Sequence, residues 1–373
     1  MLSVDAVCGA DALAAVAGDW CELAATRPRA HFYHWYGWWK CCVGILEPDP
    51  GAVTFFVVRQ GSRPVAIAPL RLEADAGLGA RLWRLPRHPH VPLADILCGD
   101  GVDAGELLAA LLPALARRAG GAWDALVLEP VPAASPLAGI GAPPGTRHWR
   151  TIVKTCEEIP TCASAEEHRL RLSPNFRSNL SKARNKLRRE PAVEFDAARR
   201  PGELDAALAG FVALEASGWK GRAGTAIAQD PRLRAFYGGL AQELGPQGRV
   251  VINSLRAAGR LIAAQYCLQG DDTLYVLKLA YDEAWSRVAP GNMLLEHLVL
   301  SGGDTGIRRI NLVGNPPWFR DWQPAGQDVH CHWVANRTVR GRALAGLLGA
   351  KRRLRPLVRR VLGRGDAGRG SRR

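Results

Sequence analysis

Several features that mark other protein classes are missing from this sequence of 373 residues. No stretch reaches the roughly 18 uninterrupted apolar residues that a membrane-spanning helix requires. The N-terminal segment carries Asp5, Asp11 and Asp19 and lacks the basic region of a secretory signal. These absences predict a cytoplasmic protein, and the richness in Ala, Gly, Arg and Pro suggests a bacterial gene.

Cysteine pairs with metal-site or redox spacing are also missing. The nine cysteines include no Cys-x-x-Cys pair, and an odd number at scattered positions is typical of reduced thiols. His88-Pro89-His90 and His330-Cys331-His332 could suggest a metal site, but neither has a second ligand pair at zinc spacing. We therefore expect no metal, and we interpret both clusters as polar strand or loop residues.

Acidic residues are nearly absent from the C-terminal end, and this explains most of the net charge of +14. Residues 337–373 contain thirteen Lys or Arg and one acid, Asp366, which makes +12 and leaves +2 (14 − 12) for residues 1–336. The main part of the chain is therefore not a basic nucleic-acid surface, and no DNA partner is expected.

The basic tail, 337–373, has apolar residues at helical spacing, and Pro356 interrupts the pattern. Such a helix is typical of peripheral binding to an anionic membrane surface, here the inner membrane. The alternative is a helix packed on the preceding domain and followed by a disordered end. The apolar positions are Leu344, Leu347, Leu348, Leu354, Val358 and Val361.

A weak internal repeat indicates two similar α/β units. Ala52–Glu73 and Gly248–Gln269 each contain two apolar runs around a turn, and each is followed by an amphipathic helix and another strand. Unrelated α/β domains contain such hairpins too, which is the alternative. We expect an α/β (α+β) fold with two tandem domains, 1–150 and 151–336, each a mixed sheet flanked by helices, followed by the basic helical tail.

Three helices are predicted at the start of the second unit. A basic helix from Asn175 to about Arg189 carries Phe176, Leu180, Ala183 and Leu187 on one face, after start signals at Ser164 and Ser173. Two more helices should follow, Gly202–Gly218 and Pro231–Leu244, the second after the N-cap Asp230. The basic face of the first helix is either solvated or a contact for a phosphorylated or tRNA-like donor.

The segment Thr273–Leu295 joins an apolar strand to a helix that opens near Gly291. The amides of Gly291 to Leu294 should lack partners within the helix, and such a helix start binds anions. An ordinary strand-to-helix crossover would have the same pattern. The residues alone therefore leave an anion site and a plain connection both open.

The order of short motifs in the second half resembles a known family. Glu215, Trp219, Lys220, Gly224 and Ala226 form E-x-x-x-W-K-x-x-x-G-x-A, followed by L-K-x-x-Y-D-E, P-G and N-L-V-G. This order resembles the CelD/BcsL-like acyltransferases, which are GNAT-like proteins of bacterial cellulose and exopolysaccharide synthesis and relatives of the FemAB transferases. The resemblance spans roughly residues 10–335, and FRDW departs from it with Arg320 in place of a lysine.

The resemblance implies the acyl-CoA N-acyltransferase fold in both domains and acyl transfer, with acetyl-CoA or another acyl-CoA as co-substrate. It implies that the strand receives the pantetheine chain and the turn holds the pyrophosphate. The implied donor-binding residues are Lys278, Leu279, Ala289, Gly291, Asn292 and Met293. The implied acceptor-binding residues are Glu215, Trp219, Lys220 and Gly224.

For the chemistry, Tyr281 could protonate the leaving thiolate and Asp282 could accept the proton of the nucleophile. Both could instead be structural, as a packed ring and a loop cap. Lys278 could contact the CoA phosphates or the acceptor, or lie on a solvent face of its strand. Trp219 and Lys220 border the acceptor pocket or simply end a helix.

The expected function is an acyltransferase that uses acyl-CoA and an amine or hydroxyl acceptor in exopolysaccharide, cellulose or cell-envelope synthesis. One alternative is an aminoacyl-tRNA-dependent transferase like the FemAB enzymes, although these have a long helical arm in the second domain. The other alternative is an inactive scaffold that binds the membrane through its tail.

Overall fold

The computed structural model describes residues 1–27, 29, 31–121 and 123–347, and the structural statements below refer to these residues. Their strands are β1 (Leu2–Val7), β2 (Val53–Gln60), β3 (Arg63–Asp75), β4 (Ala80–Arg84), β5 (Leu97–Cys98), β6 (Ala125–Pro132), β7 (Arg147–Pro160), β8 (Glu194–Ala198), β9 (Val250–Ala257), β10 (Arg260–Gln269), β11 (Thr273–Tyr281), β12 (Arg309–Asn311) and β13 (Ala325–Ala335).

The α-helices are α1 (Ala12–Ala15), α2 (Ala17–Ala25), α3 (Tyr36–Cys41), α4 (Ala104–Arg118), α5 (Ala165–Arg171), α6 (Pro174–Leu187), α7 (Pro201–Ser217), α8 (Trp219–Arg222), α9 (Pro231–Leu244) and α10 (Pro290–Thr305). Shorter helical turns are Phe32–His34, Cys42–Leu46, Pro50–Ala52, Pro136–Gly139, Ile227–Gln229, Gly245–Gln247, Glu283–Val288 and Pro317–Trp322.

One mixed sheet runs through the whole molecule and has matching halves. The strand order is β1-β2-β3-β4-β6-β13-β7-β12-β11-β10-β9-β8, with β5 attached to β3. In the first half β4 pairs in parallel with β6 across α4, and in the second half β11 pairs in parallel with β12 across α10. A parallel pair needs such a crossover helix, so the repeated hairpin, helix and strand belong to one repeated unit.

The two halves exchange their last strands at the centre of the sheet. The strand that follows β6 in the chain is β7, and it pairs with β12 of the second half. The strand that follows β12 is β13, and it pairs with β6 of the first half as well as with β7. Each half is therefore completed by a strand of the other, and the sheet is continuous from one half into the other.

The predicted α/β fold with two similar units is confirmed by this topology. The domain boundary between residues 150 and 151 stays a prediction, and it falls inside β7, because β7 runs from Arg147 to Pro160. Burial along this strand does not alternate cleanly, so the sequence has no period-two pattern that would mark a central strand.

The core consists of one large cluster, which includes most of the core of the first half and one face of the second, and a smaller cluster on the other face of the second half. Buried tryptophans of the first half, Trp20, Trp38 and Trp39, belong to the same cluster as Phe236 of α9 and Phe211 of α7. The opposite face of the second half packs against α6 and α10. Burial of such large apolar side chains is the main stabilising contribution of a fold of this size.

The helix predictions for the start of the second unit are confirmed. Ser164 and Ser173 cap α5 and α6, and Asp230 accepts amide hydrogens at the start of α9. The four apolar residues of the basic helix are buried. Arg184 of α6 donates to Glu296 of α10, which fixes the basic helix against the second half.

The tail lies mostly outside the described residues. Residues 339–347 are helical, and Leu344 is buried against Leu82, Val127 and Cys331 of the sheet. The tail prediction from residue 348 on falls outside the described part. Within residues 1–347, apart from 28, 30 and 122, the structure has no helix that is long and apolar enough to cross a membrane.

Candidate active site

The strands β11 and β12 separate soon after they begin to pair. Thr273, Leu274 and Tyr275 pair with β12, whereas Val276–Tyr281 pair with β10 alone. A bulge places Leu277 as an extra residue on β11, since Val276 lies opposite Cys267 and Lys278 lies opposite Tyr266. The far half of β11 therefore has a free edge whose N–H and C=O groups are available to a bound chain.

The separation opens a cleft of about 440 Å³ along this free edge. One wall is the strand segment Val276–Tyr281, and the other is formed by Glu215, Trp219 and Lys220 near the junction of α7 and α8. A second hollow of about 270 Å³ adjoins it and shares Leu279, Tyr281 and Trp318. The two hollows together form one groove along the strand, from the junction of α7 and α8 to the start of α10.

The second hollow reaches the N-terminus of α10, where Ala289, Pro290, Gly291 and Asn292 line it. Ala289 has a φ of +46° and makes no side-chain cap, and Pro290 at the first helical position has no N–H. The expectation of four free amides is wrong at Met293, because its N–H donates to the carbonyl of Ala289 at 3.0 Å. It also fails at Leu294, which is the fifth residue of the helix and so lies within the intrahelical ladder. The amides of Gly291 and Asn292 remain for an anion at the positive end of the helix.

Glu215 and Lys220 form a buried ion pair at the wall of the cleft. Lys220 Nζ lies 2.6 Å from Glu215 Oε1, and Glu215 is only 4% exposed. Glu215 Oε2 also accepts the N–H of Ile227 at 2.9 Å, and Lys220 Nζ lies 3.5 Å from the carbonyl oxygen of Leu279. The pair thus connects α7, α8 and the loop after them to the free strand.

Lys278 lies on the free strand and lines the cleft. Burial, together with the charge of Lys220, lowers its pKa to about 8, and the charge of Glu215 opposes this shift. Among the described residues Lys278 has no carboxylate within ion-pair distance. It faces the side of the sheet covered by α7 and α9, because its cross-strand neighbour Tyr266 packs there against Tyr237 and Phe211.

The two residues predicted to carry the proton transfers are placed differently. Tyr281 lines both hollows and is 38% exposed. Asp282 lines neither of them: its Oδ1 accepts the N–H of Ala284 at 3.0 Å, and its Oδ2 lies 3.1 Å from Arg260. Asp282 therefore has the position of a loop cap, and its role as a proton acceptor stays a prediction.

Three exposed aromatic rings surround the mouth of the groove. Trp219 of α8 is 57% exposed, and Trp318 of the turn Pro317–Trp322 is 41% exposed. Tyr281 at the end of β11 lines the cleft together with both. Glu283 holds the segment with Trp219 by accepting its N–H at 2.9 Å. Gly224, predicted beside them, lies outside the groove lining. Its φ of +72° lies in the left-handed region that favours glycine. Crowding is not the reason for the glycine, because no atom lies within 4 Å of the position of a Cβ.

The charge of Lys278 acts on two histidines of the first half, His88 and His90, which the sequence had suggested are polar strand or loop residues. His90 Nδ1 lies 2.9 Å from the hydroxyl oxygen of Tyr237. Burial, together with the charges of Lys278, His88 and Lys220, lowers the pKa of His90 to about 3, and the charge of Asp230 opposes this shift. Among the described residues no group of three or more His, Cys, Asp or Glu is arranged to hold a metal.

The matching family model covers the part of the chain that contains this groove. Residues 174–321 match the family described as acetyltransferase (GNAT) domain. The match extends from the start of α6 to the turn before β13, and so includes α7, the free strand and the start of α10. Residues 174–321 therefore resemble a GNAT acetyltransferase domain. No curated protein sequence is significantly similar to the chain.

Solved structures share the fold at low sequence identity. The crystal structure of FemX has a TM-score of 0.51 with 12% identity, and the alignment covers 79% of this chain and 90% of that chain. A conserved protein of unknown function from Bacteroides thetaiotaomicron has a TM-score of 0.53 with 14% identity, covering 87% and 97%. The C-terminal domain of a protein named as a lysylphosphatidylglycerol synthetase, from Agrobacterium fabrum, has 0.50 with 12% identity, covering 89% and 95%. At these identities the similarity concerns the fold.

Proposed function

We propose that the chain transfers an acyl group, in the first place acetyl, from acyl-CoA to an amine or hydroxyl acceptor. The observation that supports this most is the free edge of β11 beside the uncapped start of α10. A CoA thioester combines an amide-bearing chain with a pyrophosphate, and the groove offers a complementary strand edge and free amides in that order.

The donor would lie along the free strand. Its pantetheine amides would pair with the backbone of β11 between Lys278 and Tyr281, and Leu279 would contact the chain. The pyrophosphate would accept the N–H groups of Gly291 and Asn292 at the turn Ala289–Met293. Met293 contributes to this turn through its bond to Ala289, which fixes the first helical turn.

The reaction needs a neutral nucleophile, a polarised thioester carbonyl and a proton for the leaving thiolate. The nucleophile forms a bond to the carbonyl carbon, the carbon–sulfur bond breaks, and Tyr281 donates its phenolic proton to the sulfur. Backbone N–H groups of β11 would stabilise the negative oxygen. Asp282 would take the proton of the nucleophile through water while it keeps its bonds to Ala284 and Arg260.

The acceptor would enter on the side of α7 and α8, where Glu215, Trp219, Lys220 and Gly224 lie. Exposed aromatic rings at the mouth suit a ligand with apolar faces and polar edges. The resemblance to the CelD/BcsL-like acyltransferases favours an acceptor from exopolysaccharide, cellulose or cell-envelope synthesis.

A tRNA-dependent reaction is the second candidate, since FemX shares the fold. Against it, the described residues between β7 and β8 form only α5 and α6. Of these, α6 is fixed to α10 through the Arg184–Glu296 pair and does not project as an arm.

Calorimetry with a panel of CoA thioesters and free CoA tests the proposal. We expect acetyl-CoA or another short thioester to bind to one site per chain, with free CoA binding through the same pyrophosphate contacts. Absence of binding by every thioester would overturn the proposal. Binding of an aminoacyl-tRNA without any thioester would favour the second candidate.

A further inference from the structure

A cluster of nitrogen-bearing side chains from both halves lies on the α7–α9 face of the sheet. Lys278 of β11 lies directly across from Tyr266 of β10. The ring of Tyr266 packs on Tyr237 with centroids 5.0 Å apart, and the hydroxyl of Tyr237 is bonded to His90 of the first half. This chain of contacts places His90, with His88 beside it, on the same face of the sheet as Lys278, whose charge acts on both rings.

The charge of this cluster is not balanced by its neighbours. Glu215 is already paired with Lys220 at 2.6 Å. Asp230 of α9, the other acid near the two histidines, uses its Oδ1 to accept the N–H groups of Arg232 and Leu233. Lys278 has no ion-pair partner in the described part of the chain, and the charge of Arg232 also acts on His88. Three positive charges, those of Lys220, Lys278 and Arg232, stand against the two negative charges of Glu215 and Asp230, which leaves one positive charge (3 − 2). A half-buried ammonium is costly unless an anion meets it.

His90 adds a neutral donor to this positive site. Burial holds the pKa of Tyr237 well above its usual range, so its hydroxyl keeps its proton and can donate to Nδ1 of the imidazole. In that arrangement the hydrogen of the neutral ring is on Nε2. Nε2 makes no hydrogen bond among the described residues, which leaves it for a ligand oxygen.

We propose that Lys278 and His90 together bind an anionic group of the acyl acceptor, a carboxylate or a phosphate, so that the acceptor site is shared between the two halves. This inference rests on the proposed function in taking the ligand to be the acceptor. In this arrangement Lys278 binds the acceptor, whereas the start of α10 binds the pyrophosphate of the donor. Lys278 faces α7 and α9, whereas Leu279, the next residue, lines the hollow at α10.

The proposal has a pH dependence whose sign is set by Lys278. Its pKa in the free protein is lowered to about 8, and only the ammonium form attracts the anion. A bound anion favours the charged form, so ligand binding raises the pKa of Lys278. Affinity for the anion is therefore full below the pKa of the free protein, falls as the pH rises through it, and levels off above the raised pKa of the bound state.

The test uses the full chain labelled with [6-13C]lysine, because the sequence contains only seven lysines and Lys278→Gln assigns its signal. The titration curve of Lys278 is recorded with desulfo-CoA present. Four amine probes are added in turn: glucosamine 6-phosphate and β-alanine, and their counterparts without the acid, glucosamine and propylamine. A separate sample receives 3′-phosphoadenosine 5′-phosphate, the anionic part of CoA.

We expect an acid-bearing amine to move the midpoint of Lys278 to higher pH, and its counterpart to leave the midpoint unchanged. Lys278→Gln should weaken binding of that amine about tenfold, and His90→Phe should weaken it by a smaller factor. Lys182→Gln removes an exposed lysine of α6 and should change nothing.

Two results would overturn the inference. Either no acid-bearing amine moves the midpoint of Lys278, or 3′-phosphoadenosine 5′-phosphate alone moves it, which would assign Lys278 to the donor phosphates. Failure of the proposed function is visible separately, because the thioester calorimetry can fail while the Lys278 midpoint still responds to an anionic amine.

Discussion

The two halves of the sheet share their strand order and differ where a ligand would bind. In the first half β4 ends at Arg84, and the same Arg84 is still paired with Val127 of β6. In the second half β11 runs on to Tyr281, although its pairing with β12 ends at Tyr275. The parallel pair of the first half is closed to its end, whereas that of the second half opens into the groove.

The helices that follow these strands, α4 and α10, also differ, in whether the N-terminus is capped by an acidic side chain. The side chain of Asp103 caps α4 by accepting the N–H of Glu106 at 2.8 Å, and Glu106 adds a second acid to the first turn. The first turn of α10 has no acid and no side-chain cap. The Asp103 carboxylate already occupies the start of α4, where an anionic ligand would bind, so this difference favours the second half for the proposed donor site.

The largest expected effect on the comparison of the two halves is a loss of turnover when Tyr281 is replaced. Tyr281→Phe removes the proposed proton donor at the end of the longer strand, and we expect kcat to fall about 100-fold, within the range usual for general-acid catalysis. Thiol release from the best thioester and acceptor of a panel measures it, with the affinity for CoA essentially unchanged. Tyr36→Phe removes a hydroxyl of the first half that donates to Leu13 and should leave kcat as it is. Equal turnover in Tyr281→Phe and the wild type would assign Tyr281 to binding or packing.

A smaller effect, on CoA binding, is expected when an acidic residue is introduced into the first turn of α10, as is present in α4. Gly291→Asp has room, since a Cβ there would lie 3.7 Å from Leu279, and we expect it to weaken CoA binding about tenfold by charge repulsion. The matched control is Gly202→Asp, because α7 also begins with Pro-Gly and a Cβ at Gly202 meets no atom within 4 Å. Calorimetry of both variants measures the difference. Equal losses in both variants, or none in either, would break the comparison.

The smallest effect concerns Asp282, which begins the turn between β11 and α10. If its main role is that of a cap, Asp282→Ala should lower the free energy of unfolding by about 1 kcal/mol, whereas Asp282→Asn keeps the cap and costs only a few tenths. Denaturant unfolding and kcat are measured on both variants. A large loss of kcat in Asp282→Asn with unchanged stability would instead support the proton-acceptor role.

Much of the second half could be predicted from local sequence patterns. Period and capping residues located α6, α7 and α9 to within a residue or two, because Ser173 and Asp230 are followed at once by Pro and by an apolar face. The two hairpins were recognisable for a similar reason. Gly61 and Gly259, both with positive φ, mark their turns between apolar runs.

The exchange of β7 and β13 could not be predicted, because it depends on pairing between residues far apart in the chain. His330 of β13 meets Ile152 of β7, and neither position has a local signal for its partner. The position of His90 beside Tyr237 is of the same kind. Within the site, the sequence leaves the role of Asp282 open, since an Asp after a strand is equally typical of a cap and of a catalytic base.

The most direct test of the account is to observe the amides that would hold the donor pyrophosphate. In 15N-labelled protein, addition of CoA should shift the amide signals of Gly291 and Asn292 more than those of the first turn of α4, at Gly105 and Glu106. Dephospho-CoA should give the same pattern, because it retains the pyrophosphate. The account would be contradicted if CoA bound and shifted the start of α4 while leaving Gly291 and Asn292 unchanged.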